Sequence, residues 1–468
     1  KRLAYDEIFA SFLVHSEIRK KIKRIKKQKK NFDIKNQNEI LTKLNFDLTN
    51  DQKKTLNEIK IDLKSNQKMF RLLQGDVGSG KTIVALIAAF NVIKSGFQVA
   101  VMAPTEILAR QHFTLAKEIF NKAIKVEILS SKSEYSDKKI ITKNLINNEI
   151  NIIFGTHAIF QKKILFKKLG LIVIDEQHKF GVNQRKKLSD KGGDNCDVLL
   201  MSATPIPRTL TMTIYGDMDL SIIREKPKLR KEVITYSKLE NKIDEVLRFI
   251  TKEINNNNQV FWVCPLIEES KKLDHTSAVQ KYDFLSNKFP NQVALLHGKT
   301  EAKEKEIILK KFLNSEFKIL VSTTIIEVGI DFPNANVIVI ENANKFGLSQ
   351  LHQLRGRVGR GIKQSTCILM FKSSLTENAK KRLNILKNST DGFEISEEDM
   401  KLRGFGDILG FKQSGIKIFK LADPIHNSDL FELAEKEIKI MENNNTNISK
   451  YKTLMKLYDQ ADIINDIV

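Results

Sequence analysis

Apolar residues along this chain fall into short unbroken runs separated by longer mixed stretches. Phe70-Arg-Leu-Leu-Gln74, Gln98-Val-Ala-Val-Met-Ala103, Asn151-Ile-Ile-Phe154, Leu171-Ile-Val-Ile174 and Val198-Leu-Leu-Met201 form a first series. Runs this short, bounded by turn signals and lacking alternation, predict strands buried on both faces. The stretches between them read as helices, Ile83-Val-Ala-Leu-Ile-Ala-Ala-Phe90 being the most apolar. Buried strands alternating with helices predict an α/β fold: a parallel sheet covered on both sides. A second series of the same character comprises Gln259-Val-Phe-Trp-Val263, Val293-Ala-Leu-Leu296, Lys318-Ile-Leu-Val321, Asn336-Val-Ile-Val-Ile340 and Thr366-Cys-Ile-Leu-Met-Phe371. Between the two series, Arg224-Glu-Lys-Pro-Lys-Leu-Arg-Lys231 is charged and irregular, and reads as a linker. After Ser373 the pattern turns helical and charged. The expected organisation is a basic helical linker over 1–35, one α/β domain over 36–225, a second over 226–376 and a helical region over 377–468.

Composition adds a partner. The 468 residues carry 78 Lys+Arg against 56 Asp+Glu, a formal net charge of +22. Such an excess favours a polyanion, usually a phosphate backbone, although Lys-rich surfaces also arise as mere solvation. Charge is densest in Lys20-Lys-Ile-Lys-Arg-Ile-Lys-Lys-Gln-Lys-Lys30, basic at eight of eleven positions. That segment reads either as a DNA-contacting helix or as a solvated connecting helix, and charge runs usually face solvent. Cys196, Cys264 and Cys367 are far apart and lack metal-ligand spacing, which suits reduced, packed thiols in a cytosolic protein. No apolar run reaches the length of a membrane span, and no membrane association is expected. The opening Lys1-Arg-Leu-Ala-Tyr-Asp6 has neither an initiator Met nor a secretory signal, and reads as part of something longer.

The chemistry centres on Gly75-Asp76-Val77-Gly78-Ser79-Gly80-Lys81-Thr82, which fits G-x-x-x-x-G-K-[ST] without a gap. A strand before it and a helix after it supply the required setting. Glycines let the backbone wrap phosphates, so that amides and the helix N-terminus face negative charge. Lys81 can reach the outer phosphates of ATP, and the Thr82 hydroxyl can hold Mg²⁺. Asp175-Glu-Gln-His178 follows a buried strand at the sheet edge where open α/β folds bind ligands. Asp175 is placed for Mg²⁺, Glu176 for polarising the attacking water, and Gln177 and His178 for reporting nucleotide state. Acids at a strand end also serve as helix caps. Upstream, Gln52 can pair with a purine edge and Phe46 can stack on the ring, although such a Phe also serves as core.

Ser202-Ala-Thr204, followed by Pro205-Ile-Pro-Arg-Thr-Leu210, suits hydrogen-bonded coupling of the ATP site to the second domain. In that domain Gln353-Leu-Arg-Gly-Arg357-Val-Gly-Arg360 offers guanidinium groups for charge building on a transferring phosphoryl. An Arg/Gly run can instead be a flexible nucleic-acid-binding loop. Thr105, Arg110 and Thr156, on loops after strands, are expected to touch DNA phosphates, or else to cap helices or pair with carboxylates.

Taken in order, these motifs resemble the motor of superfamily-2 helicases. Asp175-Glu-Gln-His-Lys-Phe-Gly181, Thr204-Pro-Ile-Pro-Arg-Thr-Leu210 and Phe346-Gly-Leu-Ser-Gln-Leu-His-Gln-Leu-Arg-Gly-Arg-Val-Gly-Arg360 make the chain similar to the RecG family of ATP-dependent DNA helicases. Asp391-Gly-Phe-Glu-Ile395, Leu402-Arg-Gly-Phe-Gly-Asp-Ile-Leu-Gly410 and Lys412-Gln-Ser-Gly415 resemble that family's translocation motif, shared with the transcription-repair coupling factor. Phe405-Gly-Asp407 departs from the family's Pro-Gly-Glu. The third acidic-box residue, Gln177, and the opening Arg2-Leu-Ala-Tyr-Asp-Glu7 favour the RecG side.

The resemblance implies two RecA-like domains with a helical extension, ATP and Mg²⁺ as cofactors, and translocation on double-stranded DNA. It implies remodelling of stalled forks and Holliday junctions in recombination and repair. It also implies that Arg357 and Arg360, with Gln353, complete the ATP site, and that Arg403 and Gln413 couple hydrolysis to movement. A single-stranded-DNA-binding protein is a candidate partner, and a monomer in the bacterial cytoplasm is expected. The family's N-terminal wedge domain is not expected within these residues. The rival readings are a coupling-factor-like motor, a single-strand or RNA helicase, and a non-catalytic DNA-binding scaffold.

Overall fold

The chain divides into two units, Lys1–Glu225 with Arg403–Val468, and Lys226–Leu402. The structure is a computed structural model that describes all residues except 32, 45, 131–134, 162, 177–192, 228–230, 266–270, 299, 324–331, 360, 362, 405–418, 445, 447 and 459–468.

In the first unit seven strands form one sheet: β1 Phe70–Gly75, β2 Gln98–Met102, β3 Val126–Leu129, β4 Ile152–Gly155, β5 Leu169–Ile174, β6 Asp197–Ser202 and β7 Asp219–Ile223. Their order is β3-β4-β2-β5-β6-β1-β7, and every neighbouring pair is parallel. The period-2 geometry of a strand sends successive side chains to opposite faces. Leu73, Val99, Val101, Leu171, Val173 and Leu199 therefore pack on one side of the sheet. Leu72, Ala100, Met102, Ile172, Ile174 and Leu200 pack on the other. Both faces are covered, which is why the central strands read as continuous apolar runs.

The accompanying helices are α1 Arg2–Arg24, α2 Ile34–Leu41, α3 Asn50–Lys64, α4 Lys81–Lys94, α5 Glu106–Ile119, α6 Tyr135–Ile146 and α7 Arg208–Ile214. Helix α4 is buried nearly all round, against α2, α3 and the sheet, so it carries no polar stripe. Local signals set the starts of α3 and α5. Thr49 and Gln52 form a reciprocal capping box on α3, and the Thr105 hydroxyl accepts from Leu108 N on α5.

The second unit holds a six-stranded parallel sheet, β8 Ile234–Leu239, β9 Gln259–Val263, β10 Val293–Leu296, β11 Ile319–Ser322, β12 Ala335–Ile340 and β13 Thr366–Phe371, in the order β10-β11-β9-β12-β13-β8. Its helices are α8 Ile243–Asn255, α9 Lys271–Lys288, α10 Ala302–Leu313, α11 Leu348–Arg355, α12 Glu377–Asn388 and α13 Gly392–Arg403. Phe261, Val263, Leu320, Ile338 and Leu369 fill one side, and Val260, Trp262, Val321, Val339 and Ile368 the other. The two tandem parallel-sheet domains expected from the apolar runs are thus present, and the described segments after β13 are helical.

The C-terminal helices α14 Ser428–Asn443 and α15 Lys452–Leu457 return to the first unit and pack on α1. Ile8, Phe12 and Leu13 meet Phe431, Ala434, Ile438 and Met455 in a separate apolar cluster. The Glu7 carboxylate accepts from the backbone N–H groups of Lys420, Leu421 and Ala422 at 2.7, 2.8 and 2.9 Å, and Arg19 pairs with Glu442 at 2.7 Å.

The basic segment departs from its sequence readings at two positions, Lys27 and Lys30, while its other basic residues are exposed or half-buried. Helix α1 ends at Arg24, so Lys26 to Lys30 are not helical. Lys27 and Lys30 are buried, and both ammonium groups reach Asp197 at the start of β6. Two of the eight basic residues are therefore internal counter-charges, neither solvated nor available to DNA.

Candidate nucleotide site

Strand β1 ends at Gly75 and α4 begins at Lys81, so the glycine loop turns the chain from the sheet's carboxyl edge into a helix N-terminus. Gly78 and Gly80 have φ of 76° and 84°, a region that side chains with a Cβ rarely occupy. A Cβ on Gly80 would also lie 2.2 Å from the Gln52 amide nitrogen. Within the loop Val77 N donates to Asp76 Oδ1 at 2.7 Å, and Ser79 N to Asp76 O at 3.1 Å. Lys81 is buried, its Nζ donating to the Gly75 and Asp76 carbonyls at 2.9 Å each. The Ser79 hydroxyl is buried without a hydrogen-bond partner. Thr82 is half-buried in the first turn of α4. A cation held against the loop, an unsatisfied hydroxyl and the positive end of α4 fit a chain of phosphates.

Gln52 holds this loop from α3. Its Oε1 accepts from Thr49 N at 2.9 Å and its Nε2 donates to Ser79 O at 2.8 Å, and the residue is buried. Both ends of the amide thus brace the loop, and one Nε2 hydrogen and one Oε1 lone pair remain beyond these bonds. Phe46 is 38% exposed. Gln74, just before the loop, donates to Ile206 O at 2.9 Å and so ties β1 to the segment after Thr204.

Asp175 leaves β5 at the same edge of the sheet, with β6 lying between β5 and β1. Its N–H donates to Met102 O at 2.8 Å, its Oδ1 accepts from Glu176 N at 2.9 Å, and its Oδ2 lies 2.8 Å from His112 Nε2 on α5. Burial opposes ionisation of Asp175 most strongly. The hydrogen bond and charge of His112, the Lys81 ammonium and the Glu176 amide together outweigh it and hold the carboxyl below its ordinary range. An ionised carboxylate only accepts, so His112 Nε2 carries the proton between them. Glu176 has φ of 51°, a left-handed conformation unusual for a residue with a side chain. Gln177 and His178 lie outside the described residues. His112 was not among the sequence candidates, because a lone His on the buried stripe of a helix reads as core and its partner is 63 residues away.

The Ser202 hydroxyl lies 3.0 Å from both the carbonyl and the hydroxyl of Thr204, making that tripeptide a closed hydrogen-bonded unit. Thr105 uses its hydroxyl as the α5 cap, and Arg110 pairs with Glu106 at 3.0 Å while remaining half exposed. Thr156 precedes the single turn His157–Phe160 without capping it through its side chain.

In the second unit Gln353 is half-buried on α11, and Arg357, just beyond it, is buried. Arg355 is spent within the unit, donating to Leu386 O at 2.6 Å and Ser389 O at 2.8 Å. Arg403 is exposed at the end of α13. Arg360 and Gln413 lie outside the described residues.

The chain is similar to known helicases in sequence and in fold. Three family models match: DEAD/DEAH box helicase over residues 49–213, helicase conserved C-terminal domain over 241–361, and ATP-dependent DNA helicase RecG, domain 3, C-terminal, over 389–460. The ATP-dependent DNA helicase RecG of Aquifex aeolicus is 46% identical over 465 residues, 98% of this chain and 59% of its own length. That of Bacillus subtilis is 46% identical over 442 residues, 93% of this chain and 64% of its own length. A solved structure of RecG bound to a three-way DNA junction matches with a TM-score of 0.75 at 42% identity, covering 92% of this chain and 56% of that one. Mss116p bound to ssRNA and AMP-PNP matches at 0.58 and 20% identity over 80% of each chain, a likeness of fold alone. The chain thus spans less than two thirds of the length of these curated relatives.

Proposed function

The chain belongs to the RecG family of ATP-dependent DNA helicases, and from that premise we propose that it is an ATP-driven double-stranded-DNA translocase that remodels branched DNA in recombination and repair. The observation that carries the reading is the juxtaposition of two motifs at one sheet edge. The phosphate loop leaves β1 with Lys81 buried against it, and Asp175 and Glu176 leave β5, with the Lys81 charge felt at Asp175.

In this mechanism Lys81, Ser79 and the N-terminus of α4 hold the ATP phosphates. Thr82 and Asp175 are the side chains that would hold Mg²⁺, which when bound neutralises charge on the phosphate oxygens. Glu176 orients the attacking water. Arg357 and Arg360, with Gln353, act on the charge that develops on the transferring phosphoryl. Ser202 and Thr204 pass the nucleotide state onward, and Arg403 and Gln413 convert it into movement. Phe46 packs against the base.

DNA is held through its phosphates, without sequence preference, by a chain of net charge +22. Thr156 contributes there, as do Thr105 and Arg110 by turning from the Leu108 amide and the Glu106 carboxylate. On this reading residues 36–225 bind ATP, 226–376 supply the arginines and 377–468 couple hydrolysis to stepping. A monomer acting in the bacterial cytoplasm, with a single-stranded-DNA-binding protein as accessory partner, completes the proposal. Among the described residues no helix is long and apolar enough to cross a membrane.

Steady-state ATP hydrolysis with no nucleic acid, duplex DNA, a model fork and single-stranded RNA tests it. Stimulation by duplex or forked DNA supports the translocase, and stimulation by RNA alone overturns the substrate.

A further inference from the structure

Helix α5 buries Leu108, Ala109, His112, Ala116 and Ile119 on one stripe. A polar ring in such a stripe costs stability unless it is hydrogen-bonded. His112 finds its partner in Asp175, Nε2 to Oδ2 at 2.8 Å, both side chains being at least nine-tenths buried. The other carboxylate oxygen is taken by Glu176 N at 2.9 Å, and the Asp175 backbone is fixed by Met102 O. The carboxylate is therefore held at one point on each oxygen. Each oxygen keeps a second lone pair.

We infer that His112 is a positioning residue for Asp175: it sets the rotation of the carboxylate so that the remaining lone pairs face the phosphate loop, where Mg²⁺ would be held. This rests on the nucleotide-site reading above. A ligating carboxylate that is itself hydrogen-bonded binds in one orientation without reorganising, and loss of such an outer partner typically costs about 10- to 100-fold in metal affinity or activity. The donor also has a second consequence. It comes from α5, whose N-cap is Thr105 and whose second turn carries Arg110, so a shift of that helix changes the aim of the Asp175 carboxylate.

The test uses the full chain with His112→Phe, which keeps a ring without a donor, and His112→Gln, whose amide nitrogen can stand where Nε2 stands. The readouts are affinity for a fluorescent ATP analogue with and without Mg²⁺, the Mg²⁺ concentration giving half-maximal hydrolysis, and the unfolding midpoint. With His112→Phe we expect nucleotide affinity without Mg²⁺ unchanged, the Mg²⁺-dependent gain in affinity cut about tenfold or more, and the half-maximal Mg²⁺ concentration raised. His112→Gln should restore most of both. Wild-type Mg²⁺ dependence in a folded His112→Phe chain overturns the inference, as does a His112→Gln chain as impaired as His112→Phe with an unchanged midpoint. Failure of the nucleotide-site reading looks different: wild type and Lys81→Ala would bind the analogue equally, with or without Mg²⁺.

Discussion

The Lys27 ammonium lies 2.7 Å from each carboxylate oxygen of Asp197, and neither side chain meets solvent. Lys30 adds a second ammonium at 2.6 Å, and Met69 N donates to Oδ1 at 2.7 Å. One buried carboxylate thus faces two ammonium groups, and Lys27 and Lys30 also reach the carbonyls of Asp62 and Asn195. The cluster pins the segment after α1 to the amino edge of the sheet, opposite the edge that carries the glycine loop.

Removing the shared carboxylate leaves two ammonium groups buried. Asp197→Ala is expected to cost about 3–5 kcal/mol or more of unfolding free energy, the range for breaking a buried pair. Lys23→Ala removes a partly exposed bridge to Asp219 and should cost no more than about 1 kcal/mol. Denaturant unfolding of both variants checks this. Equal small losses would mean that the buried cluster is not a structural anchor.

A second stability effect concerns acid. Burial, with Arg19 beside it, depresses the pKa of His15 to about 4, and its Nδ1 is buried without a partner against Gly216. The unfolded chain then binds this proton near its ordinary value, well before the folded chain does. The His15 contribution is complete above about pH 6.5 and is lost as pH falls towards 4. Unfolding midpoints measured across that window should fall more steeply for wild type than for His15→Phe. Parallel curves would show that His15 titrates as it does in the unfolded chain.

Gly80→Ala should disable the nucleotide site. The added methyl meets both a positive φ and the Gln52 amide, so the Gln52–Ser79 bond must break or the loop must shift. Expected losses are about 1–3 kcal/mol of stability from the strained backbone and most of the ATP affinity. Gly96→Ala is the control: φ is 81° there, with open space around the position, so it should carry the strain without the loss of binding. Calorimetric unfolding and nucleotide titration of the pair distinguish them.

Arg403 closes α13 at an exposed position just before residue 405. With Arg403→Ala we expect DNA-stimulated ATP hydrolysis to persist and branch migration of a model junction to fail. Parallel loss of both activities would show that the C-terminal region is not a separate coupling element.

What was legible in the sequence follows burial. Strands β1, β2, β5, β6, β9 and β12 lie inside their sheets, where both faces demand apolar residues, and their runs stood out. Strands β3, β7 and β8 are edge strands with half-wet side chains. Val126-Glu-Ile-Leu129 and Ile234-Thr-Tyr-Ser-Lys-Leu239 mix polar and apolar residues accordingly, and no apolar run marked them. The glycine loop was legible because its contacts are local. The partners of His112 and Lys27 were not, since they lie 63 and 170 residues away in sequence. A charge run looks the same in sequence whether solvent or a distant carboxylate faces it.

The central claim is that hydrolysis at the Lys81 loop is driven by duplex or branched DNA. The most direct measurement is the rate of ATP hydrolysis by wild type and Lys81→Ala as forked DNA is titrated, alongside DNA binding by the same two chains. The account predicts strong stimulation of wild type, no hydrolysis by Lys81→Ala and DNA binding retained in both. Fork-stimulated hydrolysis by Lys81→Ala would contradict it.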